Sequence, residues 1–525
     1  MFAPRRHLKD LFDRRKSKDR IFAADLFRCT GFVLVLLFHC ALSWWREVRY
    51  KTGESGDIYN KLNVSILLHG DLGLDIFFVV SGFLVGIGIL RAGLPKKIED
   101  AGKRYATFLE KRLIRLFQAY FSLLMLLAML PDDISQCTIL HGPVLFLGHF
   151  LVPTEPCADH TWTLSTFLHL YAMTPPLIWG MWKCATEFVP VRYRSRVMVV
   201  CLVSLSLIIS FVQEIYLLEN PNEWIFSGVL LSFYMNPLTR CPPYLCGIAV
   251  AFVEYTKNDD IKDVNEEDKD ESEPLLESSK SKMITRKRRR YCSTSVRVFS
   301  LLLSILTILV ILVIGPGTRR SFGSTPISEI DMGVGTGEEW SLVASFSRTF
   351  FGIATSYLLY VTINFKEYFA SKSSSPSILE SRSLRDVCTI VSKVSYGAYL
   401  FCFFPIVAIQ EEISLGDVHG THTAVVLMYF FLISILIILP LSLLLGTMSY
   451  IFVEEPSRHF LKWLEASFKR YRALQRSNGG KRKKDDGDDS SSSNSSSSDG
   501  ESKDNGKNGG GTIFQESVDD DEVEI

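Results

Sequence analysis

The chain has 525 residues, 47% of them apolar and 22% charged, and its 57 basic and 57 acidic side chains give a formal net charge of zero. The apolar residues fall in long blocks separated by short charged loops, which excludes the dispersed patterning of a soluble core. Eleven cysteines without a CxxC pair exclude a zinc ribbon or thioredoxin-like site, and no metal-ligating constellation stands out.

Residues 1–20 are polar and strongly basic, from Arg5 to Arg20, and lead straight into a full-length apolar run, which reads as an uncleaved anchor. About 20 apolar residues cross a bilayer core. Blocks of that kind are predicted at Ala23 to Trp45, Leu72 to Leu94, Leu113 to Leu130, Thr163 to Lys183 and Val197 to Leu218. Others follow at Arg240 to Tyr255, Val296 to Ile314, Leu342 to Ile363, Val387 to Gln410 and Thr423 to Val453, the last long enough to tilt or to kink at Pro440. His141 to Pro153 fits a re-entrant or interfacial segment. The fold class is therefore an all-α polytopic membrane protein with about ten transmembrane helices. Residues 21–460 form the membrane domain, interrupted by an unfolded linker at 257–290, and residues 475–525 form a disordered low-complexity tail.

The loop from Leu94 to Leu113 is rich in lysine and arginine, whereas Pro131 to Thr161 has neither, so the first is cytosolic by the positive-inside rule. Alternation then places both termini in the cytosol, although Arg46, Arg49 and Lys51 fit that scheme less well. Cys137 and Cys157 face the lumen or exterior, where a disulfide closing their loop contributes around 3 kcal/mol. Asn63, in Asn63-Val64-Ser65, is exposed to glycosylation on the same side. The basic run Arg286 to Arg290 suits lipid headgroups better than nucleic acid. Glu271 to Leu276 has the form of an acidic dileucine signal, a weak pointer to the endolysosomal system. The plasma membrane, endoplasmic reticulum and Golgi accept the same topology.

Ionisable groups inside spans cost about 2.5–3.5 kcal/mol each, which makes them candidate functional residues. Arg28 and His39 lie eleven residues apart, on one helical face and about 16 Å apart along the axis. Each has a plainer reading, a snorkelling arginine and a packed histidine. Counted inward along the next span, Asp75 and Ser81 bracket the estimated depth of His39, so a carboxylate, a hydroxyl and an imidazole are expected to meet. Gly73, Ser81 and Gly82 equally permit close helix approach. Arg112 and Arg115 share a helical face at the cytosolic mouth with Arg28. Positive-inside bias also supplies such residues, but three arginines converging there suit a phosphate-rich ligand.

Asp25-x-x-Arg28 with His39, then Gly73-x-Asp75-x-Phe77-Phe78-x-x-Ser81-Gly82-Phe83, then Arg112-x-x-Arg115, resembles the acyltransferase 3 family of membrane acyltransferases. Trp162-Thr163-Leu164-Ser165 with Tyr171 and Pro175, Arg240 with Gly247, Ser395-Tyr396-x-x-Tyr399-Leu400 with Pro405, and Val453-Glu454-x-Pro456 follow in the family's order. The paired lumenal cysteines resemble the animal branch that contains the nose-resistant-to-fluoxetine proteins.

The resemblance implies transfer of an acyl group, usually acetyl, from cytosolic acyl-CoA to a hydroxyl of a carbohydrate, lipid or small molecule. His39 would occupy the catalytic position, with Arg28, Arg112 and Arg115 on the CoA side. An imidazole, which titrates near neutral pH, can take the acceptor's proton, and Asp75 is expected to orient it. Phe167 stands where the family usually has an acidic residue and Cys402 where it has a histidine. Asp159, His160 or His169 are candidate replacements for the acid. The alternative is a catalytically inactive member acting as a transporter or lipid-handling protein.

Overall fold

The computed structural model describes residues 21–52, 69–127 except positions 94 and 96, 162–219, 236–270, 298–312, 338–365, 381–412 and 430–460, with a few isolated residues besides. All regular structure among them is helical. In chain order the helices are α1 (Phe22–Thr52), α2 (Leu72–Arg91), α3 (Ile98–Leu127), α4 (Trp162–Phe188), α5 (Arg194–Glu219) and α6 (Pro237–Asp270). They continue with α7 (Val298–Leu312), α8 (Glu338–Ile363), α9 (Arg382–Phe401), α10 (Phe403–Glu412) and α11 (Phe430–Phe460).

The expected ten spans are not all matched by helices of membrane character. Four described helices are long and apolar enough to cross a bilayer, namely Phe22–Ala41, His69–Arg91, Arg194–Ile215 and Phe430–Phe460. A fifth results if α9 and α10, bent by 55°, form one broken span. The other helices fall short in mean hydropathy, charge or length. Helix α3 carries Lys103, Arg104, Glu110, Lys111, Arg112 and Arg115, and α7 is short. Helix α6 runs through Lys257 to Asp270, into the linker read as unfolded. No proline or glycine interrupts it after Gly247, so helix propagation has nothing to stop it there. Helix α11 does not break at Pro440, which sits in the first turn of an α segment that follows a π turn at Ser434–Ile438.

Helix α2 is the hub. It packs on α1, α4, α6 and α8, and 83% of its apolar window is buried, against 22% for α5 at the rim. The rim helix leaves Val200, Ile208, Phe211 and Val212 exposed, the face expected of a helix against lipid tails. A bilayer supplies no hydrophobic drive between helices, so close backbone contact through small residues holds such a bundle together. Gly31 and Gly73 face each other across α1 and α2, where a Cβ on either would lie 2.9 or 2.6 Å from the other's carbonyl oxygen. A Cβ on Gly82 would land on the Tyr244 carbonyl, and one on Gly247 on the Val79 carbonyl, so α2 and α6 touch backbone to backbone. Gly247→Val should therefore cost at least about 1–3 kcal/mol, because the helices must separate. Gly180, with nothing within 4 Å of its virtual Cβ, should accept alanine without loss. Thermal unfolding of the two variants in detergent checks the contrast.

These contacts also set polarity. Helices α1 and α2 are antiparallel, because Gly31 meets Gly73 while Gly70 meets Leu34 and Phe38. The start of α9 lies beside the start of α1, and α4, α6 and α8 enter from the opposite end, where α2 begins. The end where α1 and α9 start is called the near end below.

Candidate functional site

Two polar centres lie inside the bundle. At the near end, the Asp25 carboxylate is buried and accepts hydrogen bonds from Ser392 Oγ at 2.7 Å and Thr389 Oγ1 at 3.3 Å. This ties α1 to α9 one turn before Arg28. Arg115 is the focus of the arginines, with Arg28 of α1, Arg112 of α3 and Arg458 of α11 all within electrostatic reach of its guanidinium. Tyr171 of α4 also faces it, and Arg112 lies over the Tyr171 ring at 5.4 Å and the Phe108 ring at 5.6 Å. Tyr396 of α9 donates to the Leu116 carbonyl at 2.9 Å, one residue along α3 from Arg115. Arg115 remains solvent-exposed although groups of α1, α4, α9 and α11 lie close to it. Like charges gather only where a counter-charge or solvent offsets their repulsion, and a solvent-accessible cluster of guanidinium groups suits a polyanion.

The second centre lies where α2, α4, α6 and α8 begin. Asp75 and Arg240 are wholly buried and joined at 3.1 Å. The other Asp75 oxygen receives Arg348 Nη1 at 2.7 Å, and Arg348 Nη2 reaches Asp71 at 3.0 Å. The Arg240 guanidinium lies 5.0 Å from the Trp162 ring centre. One carboxylate thus clamps three helices, α2, α6 and α8. This differs from the sequence expectation that Asp75 orients the imidazole, since both of its oxygens are engaged by arginines. Arg348 is absent from the motifs above, and its sequence signal is that of a charged residue within the predicted span Leu342 to Ile363.

His39 stands apart from Asp75 and Ser81. The contact of Phe38 with Gly70 sets it about level with His69, roughly six residues or about 9 Å along the axis from Asp75. Ser81 lies a further six residues down α2, about 9 Å away. Equal depth along the two spans requires helices that enter the bilayer at matching residues, whereas the contacts of Gly70 and Gly73 slide α1 upward. The imidazole is half-buried, with its ring centroid 6.4 Å from that of Tyr399. The Tyr399 hydroxyl accepts a hydrogen bond from Thr163 Oγ1 at 3.4 Å, so His39 is linked through α9 to the first turn of α4. Arg28 lies eleven residues below His39 on α1, about 16 Å along the axis.

The departures from the family pattern have packed environments. Phe167 stacks between Phe78 at 4.7 Å and Tyr171 at 5.8 Å. Cys402 is buried and donates to the Tyr399 carbonyl at 3.1 Å. His169 Nδ1 lies 2.7 Å from the Ser165 carbonyl of its own helix. Asp159, His160, Cys137, Cys157 and Asn63 lie outside the described residues, and so do the interfacial segment His141 to Pro153 and the dileucine string.

Long apolar helices enclosing arginines, aspartates and a histidine define an integral membrane protein. A family model described as an acyltransferase domain matches residues 21–447, most of the chain, and the chain belongs to this family, acyltransferase 3. It is also 21% identical over 281 residues to a protein of Caenorhabditis elegans named "Regulator of hypoxia-inducible factor 1". That match covers 47% of this chain and 54% of the worm protein, so the chain spans about half the length of this relative. No solved structure matches it significantly.

Proposed function

We propose that the protein transfers an acyl group, acetyl in the first instance, from acyl-CoA to a hydroxyl of a carbohydrate, lipid or small molecule. The observation that carries this reading is the cluster in which Arg28, Arg112 and Arg458 lie within electrostatic reach of Arg115, with His39 farther along the Arg28 helix. The near end then faces the cytosol, where acyl-CoA is made. The guanidinium groups of Arg28, Arg112 and Arg115 bind the phosphates of the nucleotide, and the extended pantetheine arm reaches along α1 toward His39. An arm of this kind spans a distance comparable to the roughly 16 Å between Arg28 and His39.

At the far level His39 accepts the proton of the acceptor hydroxyl as its oxygen attacks the thioester carbonyl. The C–S bond then breaks, and the imidazolium returns the proton to the departing CoA thiolate. Tyr399, beside the imidazole and held by Thr163, limits its orientation. Asp75 has no part in this chemistry. Its arginine partners make it a clamp that fixes α2, the helix on which α1 rests.

Transfer of label from radiolabelled acetyl-CoA to a membrane extract, with the full chain in lipid nanodiscs, tests the proposal. The wild type should pass label to an acceptor. Arg115→Ala should raise the KM for acetyl-CoA roughly tenfold or more, the usual cost of losing a charged hydrogen-bond donor. A wild type that neither binds nor turns over acyl-CoA while retaining a lipid or small molecule would favour the lipid-handling alternative, for which Phe167 in place of an acidic residue is the supporting observation.

A further inference from the structure

The last turns of α11 hold two buried acids and an arginine that no step above requires. Over Tyr450–Glu454 the helix adopts π geometry. A π turn carries an extra residue, so it resets the facing of everything after it, and such turns recur at functional sites. Here it directs Glu454 inward, against α9 and α3. Glu454 and Glu455 are 6% and 7% exposed. Glu454 Oε1 lies 3.3 Å from the position that a Cβ on Gly397 would take, is buried, and has no hydrogen-bond partner. Its carboxylate is within electrostatic reach of both Arg115 and Arg458.

Arg458 completes the group. Its Nη1 lies 3.2 Å from Glu455 Oε2, and its Nη2 is 3.9 Å from Glu454 Oε2, a distance too long for a hydrogen bond. The guanidinium lies over the Tyr450 ring at 5.6 Å, and the side chain keeps 34% exposure. An arginine ion-paired with one acid and farther from a second, with neither contact a hydrogen bond and with Arg115 close by, carries fork donors that a phosphate can capture. The two glutamates offset part of the repulsion among Arg28, Arg112, Arg115 and Arg458.

We infer that Arg458 is a further donor-binding residue, a fourth guanidinium that exchanges Glu455 for a phosphate of the CoA nucleotide. The inference rests on the acyl-CoA reading above and adds to it a residue of α11 just beyond the Val453-Glu454-x-Pro456 motif. Glu455 is then a competitor for Arg458, so neutralising it should strengthen binding of the nucleotide. A purely structural Glu455–Arg458 pair would not produce that change.

The test is CoA binding by calorimetry to the full-length protein in lipid nanodiscs, with ligand-free unfolding temperature recorded separately. Arg458→Ala should weaken CoA binding about tenfold. Arg458→Lys, which keeps the charge but not the fork, should fall between the two. Glu455→Gln should bind CoA several-fold more tightly than the wild type. If the wild type binds CoA and Arg458→Ala and Arg458→Lys bind it equally well, the role of Arg458 is overturned while the acyl-CoA reading stands. If the wild type takes up no CoA, both fall together.

Discussion

Acyl transfer by the His39→Ala protein is expected to fall by about 10²–10⁴-fold, the usual contribution of a positioned general base. The KM for acetyl-CoA should change little, because the arginine cluster lies about 16 Å away along α1. The separation of the two effects is the informative result. His39→Ala lowers kcat, whereas Arg115→Ala raises KM, as expected when one group acts in the transition state and the other in binding. The imidazole is half-buried and its neighbours are aromatic, so the truncation should leave the fold intact. Retention of wild-type kcat by His39→Ala, with labelled acetyl-CoA as donor, would remove the proposed base.

The second large effect concerns stability. Asp75→Ala leaves Arg240, which is wholly buried against Trp162, without the carboxylate that neutralises it, and Arg348 loses one of its two acidic partners. Removing one partner of a buried ion pair costs about 3–5 kcal/mol, because the remaining charge cannot reach water. The expected outcome is a large drop in unfolding temperature in detergent, together with loosening of α2 from α6 and α8. Combining Asp75→Leu with Arg240→Met should recover much of the loss, since the uncompensated charge is removed as well. If Asp75→Ala unfolded at the wild-type temperature, the clamp would have no structural weight.

Much of the architecture is legible from local pattern. The apolar blocks mark α1, α2, α5 and α11 because about 20 apolar residues in a row have few other stable destinations. Within them, Arg28, Arg112, Arg115 and His39 stand out because charge in a span needs a reason, and the ordered motifs lead to the acyltransferase 3 family. The same rule applied to the span beginning at Leu342 would have found Arg348. Arg458 lies beyond the predicted end of the last span at Val453, because residues 454–459 are polar or Pro in the sequence.

Which residues meet was decided by tertiary structure alone. Asp75 pairs with Arg240 and Arg348, which are 165 and 273 residues distant in the chain. Helical periodicity gives the face of a residue on its own helix, but not the height at which a neighbouring helix is held. That height comes from the glycine contacts of α1 on α2 and of α2 on α6, and it separates His39 from the Asp75 that a depth count had placed beside it. The chain determined that long helices would form and that guanidinium groups would lie within them; packing of backbone on backbone set their partners, because those contacts join residues far apart in sequence.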